Sequence, residues 1–299
     1  MKKLLLLPIL LLSLISFSSW GADFMKGMKS FKSGDYVTAL REWRPFAEEG
    51  DALAQTLLGT MYKAGIGVPK DYKAAVKWYT LAAEQGNPNA QFNLGEMYRT
   101  GRGVPQDYKT TVKWFTLAAE QGHDNAQFNL GIAYGNDGLG VPKDYKTALK
   151  WFTLAAEQGH ANAQSHLGIA YSNEELGVPI DYKTAVKWYT LAAEQGRADA
   201  QLSLGIIYGN GRGVPQDYKA AVKWYKLAAE QGDADAQSNL SSMYRVGKGV
   251  PQDYKTAVKW VTLAAEQGNA IAQFNLGLTY AHGKGVPKDY VYAHMWMNL

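Results

Sequence analysis

The sequence contains no cysteine among its 299 residues. This absence excludes disulfide bridges, thiol chemistry and a cysteine acceptor for lipid attachment. The chain also carries little net positive charge. Its formal net charge is +4, and it falls to +2 without Lys2 and Lys3. A nucleic-acid-binding protein would show a concentrated basic surface, so this class is not expected. The charged fraction of 19% and the hydrophobic fraction of 46% indicate a folded protein.

Catalytic and metal-binding motifs are missing as well. The sequence has no nucleophile elbow, no phosphate-cradling G-x-x-x-x-G-K-[ST], no H-E-x-x-H and no Ser-x-x-Lys arrangement. Its five histidines lack metal-ligand spacing within one helix, and a predicted helix cap separates His160 from His166. We therefore expect no enzyme activity, no metal site and no cofactor.

Long apolar runs are absent after the N-terminus. The first run, from Leu4 to Phe17, is shorter than the ~20 residues that a membrane-spanning helix needs. Lys2 and Lys3 precede it, and residues 19–21 place small side chains at the −3 and −1 positions of a cleavage site. This pattern predicts a signal peptide over residues 1–22, with an uncleaved anchor as the alternative. It also predicts a periplasmic or secreted protein without a membrane span.

An Asp-Tyr pair recurs every 36 or 37 residues, at Asp35, Asp71, Asp107, Asp144, Asp181, Asp217, Asp253 and Asp289. A fixed period of this size is typical of a solenoid. The unit that opens at Asp71 contains two amphipathic segments, which predict helices over Lys73–Gln85 and Pro88–Arg99. A Gly- and Pro-containing linker follows. The chain is therefore predicted to be all-α, an α/α solenoid of helix-turn-helix repeats.

Two further residue types recur at fixed positions. A glycine lies in the middle of the predicted second helix, with Ser241 as the one substitute, at Gly59, Gly95, Gly131, Gly168, Gly205 and Gly277. Because a mid-helix Gly costs about 1 kcal/mol relative to Ala, its recurrence predicts close approach of neighbouring helices. Tryptophans recur beside the apolar stripe, which favours packing between repeats over sugar stacking, at Trp78, Trp114, Trp151, Trp188, Trp224 and Trp260.

The units resemble Sel-one-like repeats (SLR), an α/α branch of the tetratricopeptide superfamily. The matching motifs are A-x-x-x-L-G-x-x-Y-x-x-G-x-G-V-P over Ala90–Pro105 and D-Y-x-x-A-x-x-W-Y-x-x-A-A-x-x-G over Asp71–Gly86. The resemblance covers residues 52–299, as six full units and a truncated seventh. Residues 23–51 form an atypical N-terminal cap, in which Pro45 predicts an interrupted helix.

This resemblance implies a non-catalytic interaction scaffold or adaptor of the bacterial cell envelope or secreted space. Its partner, a protein or peptide of unknown identity, would lie in a concave groove lined by the second helices. Positions that vary between units lie opposite the core stripe, and the candidate groove residues are Phe92, Glu96, Arg99, Phe128, Ile132, Ile169, Leu202, Ile206, Arg245 and Phe274. Apolar residues flanked by arginines suit a peptide that carries acidic groups. Packing between repeats is the alternative for the apolar members.

A second hypothesis comes from the same resemblance. Some cysteine-rich relatives are associated with β-lactam binding or hydrolysis, so the chain could be an envelope enzyme that acts on β-lactam or peptidoglycan. The paired cysteines of those relatives are absent here. A separate expectation concerns the end of the sequence, where Met295, Trp296, Met297 and Leu299 would form a short helix with no following unit. This predicts self-association at that end or a truncated product.

Overall fold

The structure is a computed structural model that describes residues 21–173 and 177–298. Residues 1–20 of the predicted signal peptide lie outside the described residues, as does the centre of the irregular linker 173–177. In the part of the chain that the structure describes, regular structure consists of sixteen α-helices and no strand. The predicted all-α fold is confirmed.

The described helices fall into two compact units, which divide between Gln121 and Gly122. The helices of the first unit are α1 (Ala22–Lys32), α2 (Tyr36–Glu48), α3 (Ala52–Ala64), α4 (Tyr72–Glu84), α5 (Pro88–Thr100) and α6 (Tyr108–Glu120). Those of the second are α7 (Asp124–Gly135), α8 (Tyr145–Glu157), α9 (Ala161–Asn173), α10 (Tyr182–Glu194), α11 (Ala198–Asn210), α12 (Tyr218–Glu230), α13 (Ala234–Val246), α14 (Tyr254–Glu266), α15 (Ala270–His282) and α16 (Tyr290–Met297). Within each unit, consecutive helices pack side by side as an α/α solenoid.

The repeated aspartates begin the even-numbered helices. The Asp71 carboxylate accepts hydrogen bonds from the backbone N–H groups of Lys73 at 2.9 Å and Ala74 at 3.0 Å. These bonds satisfy two N–H groups that have no partner inside the helix. Helix α4 ends at Glu84, and Gly86 then takes a φ of +90°, which suits glycine. The predicted capping role of the Asp-Tyr repeat is confirmed.

Histidines cap two of the odd-numbered helices. The Nδ1 atom of His123 accepts from the N–H of Ala126 at 3.2 Å, and Nδ1 of His160 accepts from the N–H of Ala163 at 3.2 Å. An imidazole accepts at Nδ1 only when that atom carries no proton. Burial lowers the pKa of both histidines below the ordinary value, which favours the neutral form that the caps require.

Acid should therefore destabilise the fold through these two caps. Their folded-state pKa values lie below the unfolded value of about 6.5, so the caps contribute fully above pH 6.5 and are lost as the pH falls below it. We expect a loss of about 1–2 kcal/mol in total, because one cap is worth about 1 kcal/mol. The measurement is urea unfolding at a series of pH values. The control variant, His123→Asn with His160→Asn, should flatten this dependence, since Asn87 caps α5 in the same way.

Five of the mid-helix glycines lie against aromatic rings of the following helix, and the sixth, Gly277, lies against the Met297 side chain. A Cβ atom added at Gly59 would lie 2.6 Å from the ring of Tyr79, which is closer than packed atoms allow. Equivalent pairs are Gly95–Phe115, Gly131–Phe152, Gly168–Tyr189 and Gly205–Tyr225. The predicted close approach is confirmed. Ser241 is the exception, and its hydroxyl donates to the carbonyl oxygen of Ala257 at 2.8 Å.

Two other sequence expectations have different outcomes. Trp78 packs in the cluster that contains Trp43 and Leu58 of α2 and α3, which confirms that it packs between repeats. The interruption expected at Pro45 was wrong, because α2 continues through this residue to Glu48. Pro45 lies in the last turn of α2, where its missing N–H removes one hydrogen bond near the helix end.

Buried glutamines connect three consecutive helices in a way that the sequence analysis did not predict. Gln55 of α3 donates to the Ala47 carbonyl oxygen at the end of α2 at 3.0 Å. Its own side-chain oxygen accepts from Gln85, at the end of α4, at 2.8 Å. The arrangement recurs with Gln164, which donates to the Ala156 carbonyl oxygen and accepts from Gln195. Each buried amide is thus satisfied on both sides, and helix ends are held at a fixed separation.

Candidate partner-binding surface

The ten candidate groove residues lie on the odd-numbered helices from α5 to α15. We call these ten side chains the variable face and describe it separately in each unit. Five apolar members are half-buried and pack against neighbouring core residues: Phe92, Phe128, Ile132, Ile169 and Leu202. The ring of Phe92, for example, stacks on Phe115 with centroids 5.5 Å apart. These five side chains therefore contribute to packing between helix pairs.

Two apolar members of the variable face remain accessible in the second unit. Ile206 on α11 is 36% exposed and Phe274 on α15 is 55% exposed. A leucine of the even-numbered helices is exposed to a similar extent, as at Leu227, which is 38% exposed. We call the side of the even-numbered helices that carries this leucine the outer surface. Exposure alone therefore does not distinguish the variable face from the outer surface. The residue types of the variable face change from repeat to repeat. The leucine of the outer surface recurs, as at Leu81, Leu117, Leu191 and Leu263.

The charged members in the first unit already have partners. Arg99 donates to Glu96 through Nε and Nη2, with both contacts at 2.8 Å, which is a bidentate ion pair. Lys63, at the equivalent position of α3, donates from Nζ to the side-chain oxygen of Asn93 at 3.0 Å. Burial lowers the pKa of Lys63. Glu96 and Arg99 are both among the predicted groove residues. Their i, i+3 spacing is also a known signal for pairing within one helix.

An aromatic cluster surrounds Phe128 in the second unit. The Phe128 ring stacks on His160 with centroids 4.7 Å apart and meets His166 edge-on at 5.4 Å. His166 in turn stacks on Phe152 at 5.1 Å. These histidines therefore have packing and capping roles. Within the described residues, no group of three or more His, Cys, Asp or Glu side chains could hold a metal ion.

A pocket of about 160 Å³ opens on the second unit among α13, α14 and α15. Arg245 of the variable face lines it, together with Lys284 from the linker after α15. Ser241 and Val261 form part of its wall, and no Asp or Glu contributes to the lining. The sequence analysis named Arg245 but did not predict a pocket beside it.

The last helix, α16, exposes Val291, Met295 and Met297, whereas Trp296 packs against the cluster around Leu276. Leu299 lies outside the described residues, and self-association through this helix stays a prediction. Among helices of the described residues, none combines the length and apolar character needed to cross a membrane.

This architecture is similar to that of known repeat proteins. The Sel1 repeat model matches seven consecutive segments, residues 52–87, 88–123, 124–160, 161–196, 198–233, 234–269 and 270–299. No curated protein matches the chain. Among solved structures, it is similar to c5321, a protective antigen of uropathogenic Escherichia coli strains displaying an SLR fold. The identity is 38% and the TM-score 0.82, over 92% of this chain and 60% of c5321.

The chain thus spans 60% of the length of c5321, which is less than two thirds. It is also similar to a Sel1 repeat protein from Oxalobacter formigenes, with 34% identity and a TM-score of 0.70. That likeness covers 82% of this chain and 97% of the other. The resemblance to Sel-one-like repeats is confirmed, and the chain belongs to the Sel1 repeat family.

Proposed function

We propose that this chain is a non-catalytic scaffold that binds a peptide or protein segment along its variable face. Sel1 repeat proteins are generally protein-interaction scaffolds, which supports the class of function. No observation favours the second hypothesis, an envelope enzyme that acts on β-lactam or peptidoglycan. The partner itself is identified only by chemistry, as a segment with apolar side chains and acidic groups.

One observation carries this proposal: the repeats keep their buried residues and change their variable face. The leucine at the centre of each odd-numbered helix from α3 to α15 is buried, at Leu58, Leu94, Leu130, Leu167, Leu204, Leu240 and Leu276. Two residues before it or two residues after it, by contrast, the side chain varies, as at Leu202 and Ser238 or at Ile206 and Ser242. Packing therefore constrains one side of the helix and leaves the other free to differ between repeats.

The accessible apolar residues provide the test. Ile206→Asp with Phe274→Asp should weaken partner binding at least about tenfold, because a hot-spot side chain is worth about 2 kcal/mol or more. The matched control is Leu227→Asp with Leu263→Asp, two leucines of the outer surface with exposures of 38% and 37%. Binding is compared by native cross-linking and mass spectrometry, with circular dichroism to verify folding. Equal binding by the two double variants would contradict the proposal.

The proposed location is the periplasm or the extracellular space. The supporting pattern is the basic start, the apolar run from Leu4 to Phe17 and the small residues at positions 19 and 21. N-terminal sequencing of the exported chain should find Ala22 as the first residue, or Asp23 if cleavage follows Ala22. A chain that stays in the cytoplasmic fraction with Met1 or Lys2 at its start would contradict this proposal.

A further inference from the structure

The pocket among α13, α14 and α15 is bordered by a small residue at position 261. The last helix pair carries Met297 at this position, and six other pairs carry a large ring: Trp43, Tyr79, Phe115, Phe152, Tyr189 and Tyr225. Each ring lies against the glycine of the preceding helix. Val261 is smaller, its partner is Ser241 instead of glycine, and both line the pocket. Within the described residues, this is the one helix pair in which both the glycine and the large side chain are replaced, and the pocket lies beside it.

The pocket also carries positive charge without a compensating carboxylate. Arg245 and Lys284 line it, and no Asp or Glu does. Within the described residues, neither cation takes part in an ion pair. The Lys284 ammonium lies 5.8 Å from the centre of the Tyr254 ring, another lining residue. Ser242 and Asn275 add a hydroxyl and an amide to the same wall.

The equivalent arginine of α5 shows which group fits such a guanidinium. Arg99 binds the Glu96 carboxylate through two contacts of 2.8 Å. In α13 the residue three positions before Arg245 is Ser242, which carries no charge. The same position on the repeat therefore holds a carboxylate from its own helix in one case and has none in the other. A carboxylate from a bound molecule would form with Arg245 the two-contact ion pair that Glu96 forms with Arg99.

A neighbouring contact shows that the next helix can contribute. Asn93 lies at the position of α5 that Asn275 occupies in α15, and its side-chain oxygen is 3.0 Å from the ammonium of Lys63 on α3. A side-chain amide at this position thus reaches the cationic residue of the preceding odd-numbered helix. At the pocket, Asn275 lies at the equivalent position beside Arg245 and lines the same wall.

We propose that this pocket binds the side-chain carboxylate of a Glu or Asp residue in a partner peptide. Arg245 would hold the carboxylate, Lys284 would add a second positive charge, and Asn275 and Ser242 would donate hydrogen bonds. This inference deepens the proposed function by assigning an acidic anchor to one place on the variable face. The carboxylate affinity of the pocket is a property of the chain alone and can be measured without the partner.

A small probe tests the pocket directly. N-acetyl-L-glutamic acid amide is titrated into the full chain while the Nε resonances of Arg245 and Arg99 are followed by NMR. The Arg245 resonance should shift and saturate, and the Arg99 resonance should not move, because Glu96 already occupies its guanidinium. N-acetyl-L-glutamine amide, which has the same shape without the charge, should have no effect. Inorganic phosphate serves as the competing anion and should bind more weakly than the glutamate probe.

Two variants test separately whether binding needs the volume of the pocket and the positive charge of Arg245. Ser241→Gly with Val261→Phe restores the residue pair of the other repeats, so it should fold normally while its ring fills the pocket. Arg245→Gln removes the charge at an exposed position where folding is not at risk. Because Arg245→Gln has no Arg245 resonance, the variants are compared by isothermal titration calorimetry. Each should weaken glutamate binding by about tenfold or more, the first because the probe is excluded and the second because hydrogen bonds to a charged group are lost. Arg99→Gln, the matched control, should bind the probe like the parent chain.

Several results would overturn this inference. They are an unmoved Arg245 resonance, an equal response to the glutamine probe, tighter binding of phosphate, or full glutamate binding by the variant with Phe at position 261. A failure of the proposed function would be seen in the partner-binding measurement instead. Partner binding that is indifferent to Ile206→Asp with Phe274→Asp would contradict the scaffold surface, even if the pocket takes the glutamate probe.

Discussion

Phe152→Ala is expected to lower the free energy of unfolding by about 3–5 kcal/mol, the range for removing a buried Phe side chain. Phe152 is almost fully buried, and its ring lies where a Cβ atom added at Gly131 would be 2.6 Å away. It also stacks on His166. The backbone around Gly131 is held in a helix, so the cavity cannot collapse easily. Chemical denaturation followed by circular dichroism measures the loss, and hydrogen exchange in α8 and α9 locates it.

Two control variants belong to this prediction. Leu191→Ala alters a leucine of α10 that is more than one third exposed, and it should change stability by no more than about 0.5 kcal/mol. Phe152→Val reproduces the natural Val261 and should cost less than alanine, because more of the cavity stays filled. A loss below about 1 kcal/mol for Phe152→Ala would contradict the role of this ring as the principal contact between α7 and α8.

Gln164→Glu is expected to destabilise the chain by about 2–5 kcal/mol at neutral pH, because it buries a carboxylate beside a carbonyl oxygen. The amide of Gln164 donates to the Ala156 carbonyl oxygen at 3.1 Å, and an ionised Glu cannot donate. Burial would raise the folded-state pKa of the new Glu above its unfolded value of about 4.3. The penalty is therefore full above the folded pKa and shrinks as the pH falls towards 4.3, where the protonated acid can donate again.

The measurement is urea unfolding of the variant and the parent chain at the same pH values, which removes the acid effect of the histidine caps. Gln164→Met is the matched control. It should cost about 1–3 kcal/mol for the unsatisfied carbonyl, with a difference from the parent that does not depend on pH. A Gln164→Glu penalty that is equal at acidic and neutral pH would show that this side chain is not held in a buried hydrogen-bonded position.

Local rules of the repeat were enough to predict the fold. The Asp caps, the glycine stops and the 3.6-residue periodicity are properties of neighbouring residues, and they place α4 and α5 within a residue of the predicted bounds. Mid-helix glycines predicted close helix contacts, although not which ring lies against them. Pro45 misled the prediction because its effect depends on its distance from the helix end, which was set one turn too early.

The candidate surface was harder to predict because it depends on contacts between helices. Half-burial of Phe128 and Ile169 arises from rings and side chains of neighbouring repeats, which no single helix pattern reveals. The pairing of Glu96 with Arg99 had a visible signal in its spacing. So did the pocket beside Arg245, since Ser241 and Val261 together replace the glycine and the large side chain that the other repeats pair.

The central claim is that partners bind the variable face of the odd-numbered helices. A photo-crosslinking amino acid placed singly at positions 206, 274, 227 and 263 tests it most directly. In cells that produce the full chain, we predict partner adducts from positions 206 and 274 on the variable face, and none from positions 227 and 263 on the outer surface. Adducts only from positions 227 and 263, or equally from all four, would contradict the account.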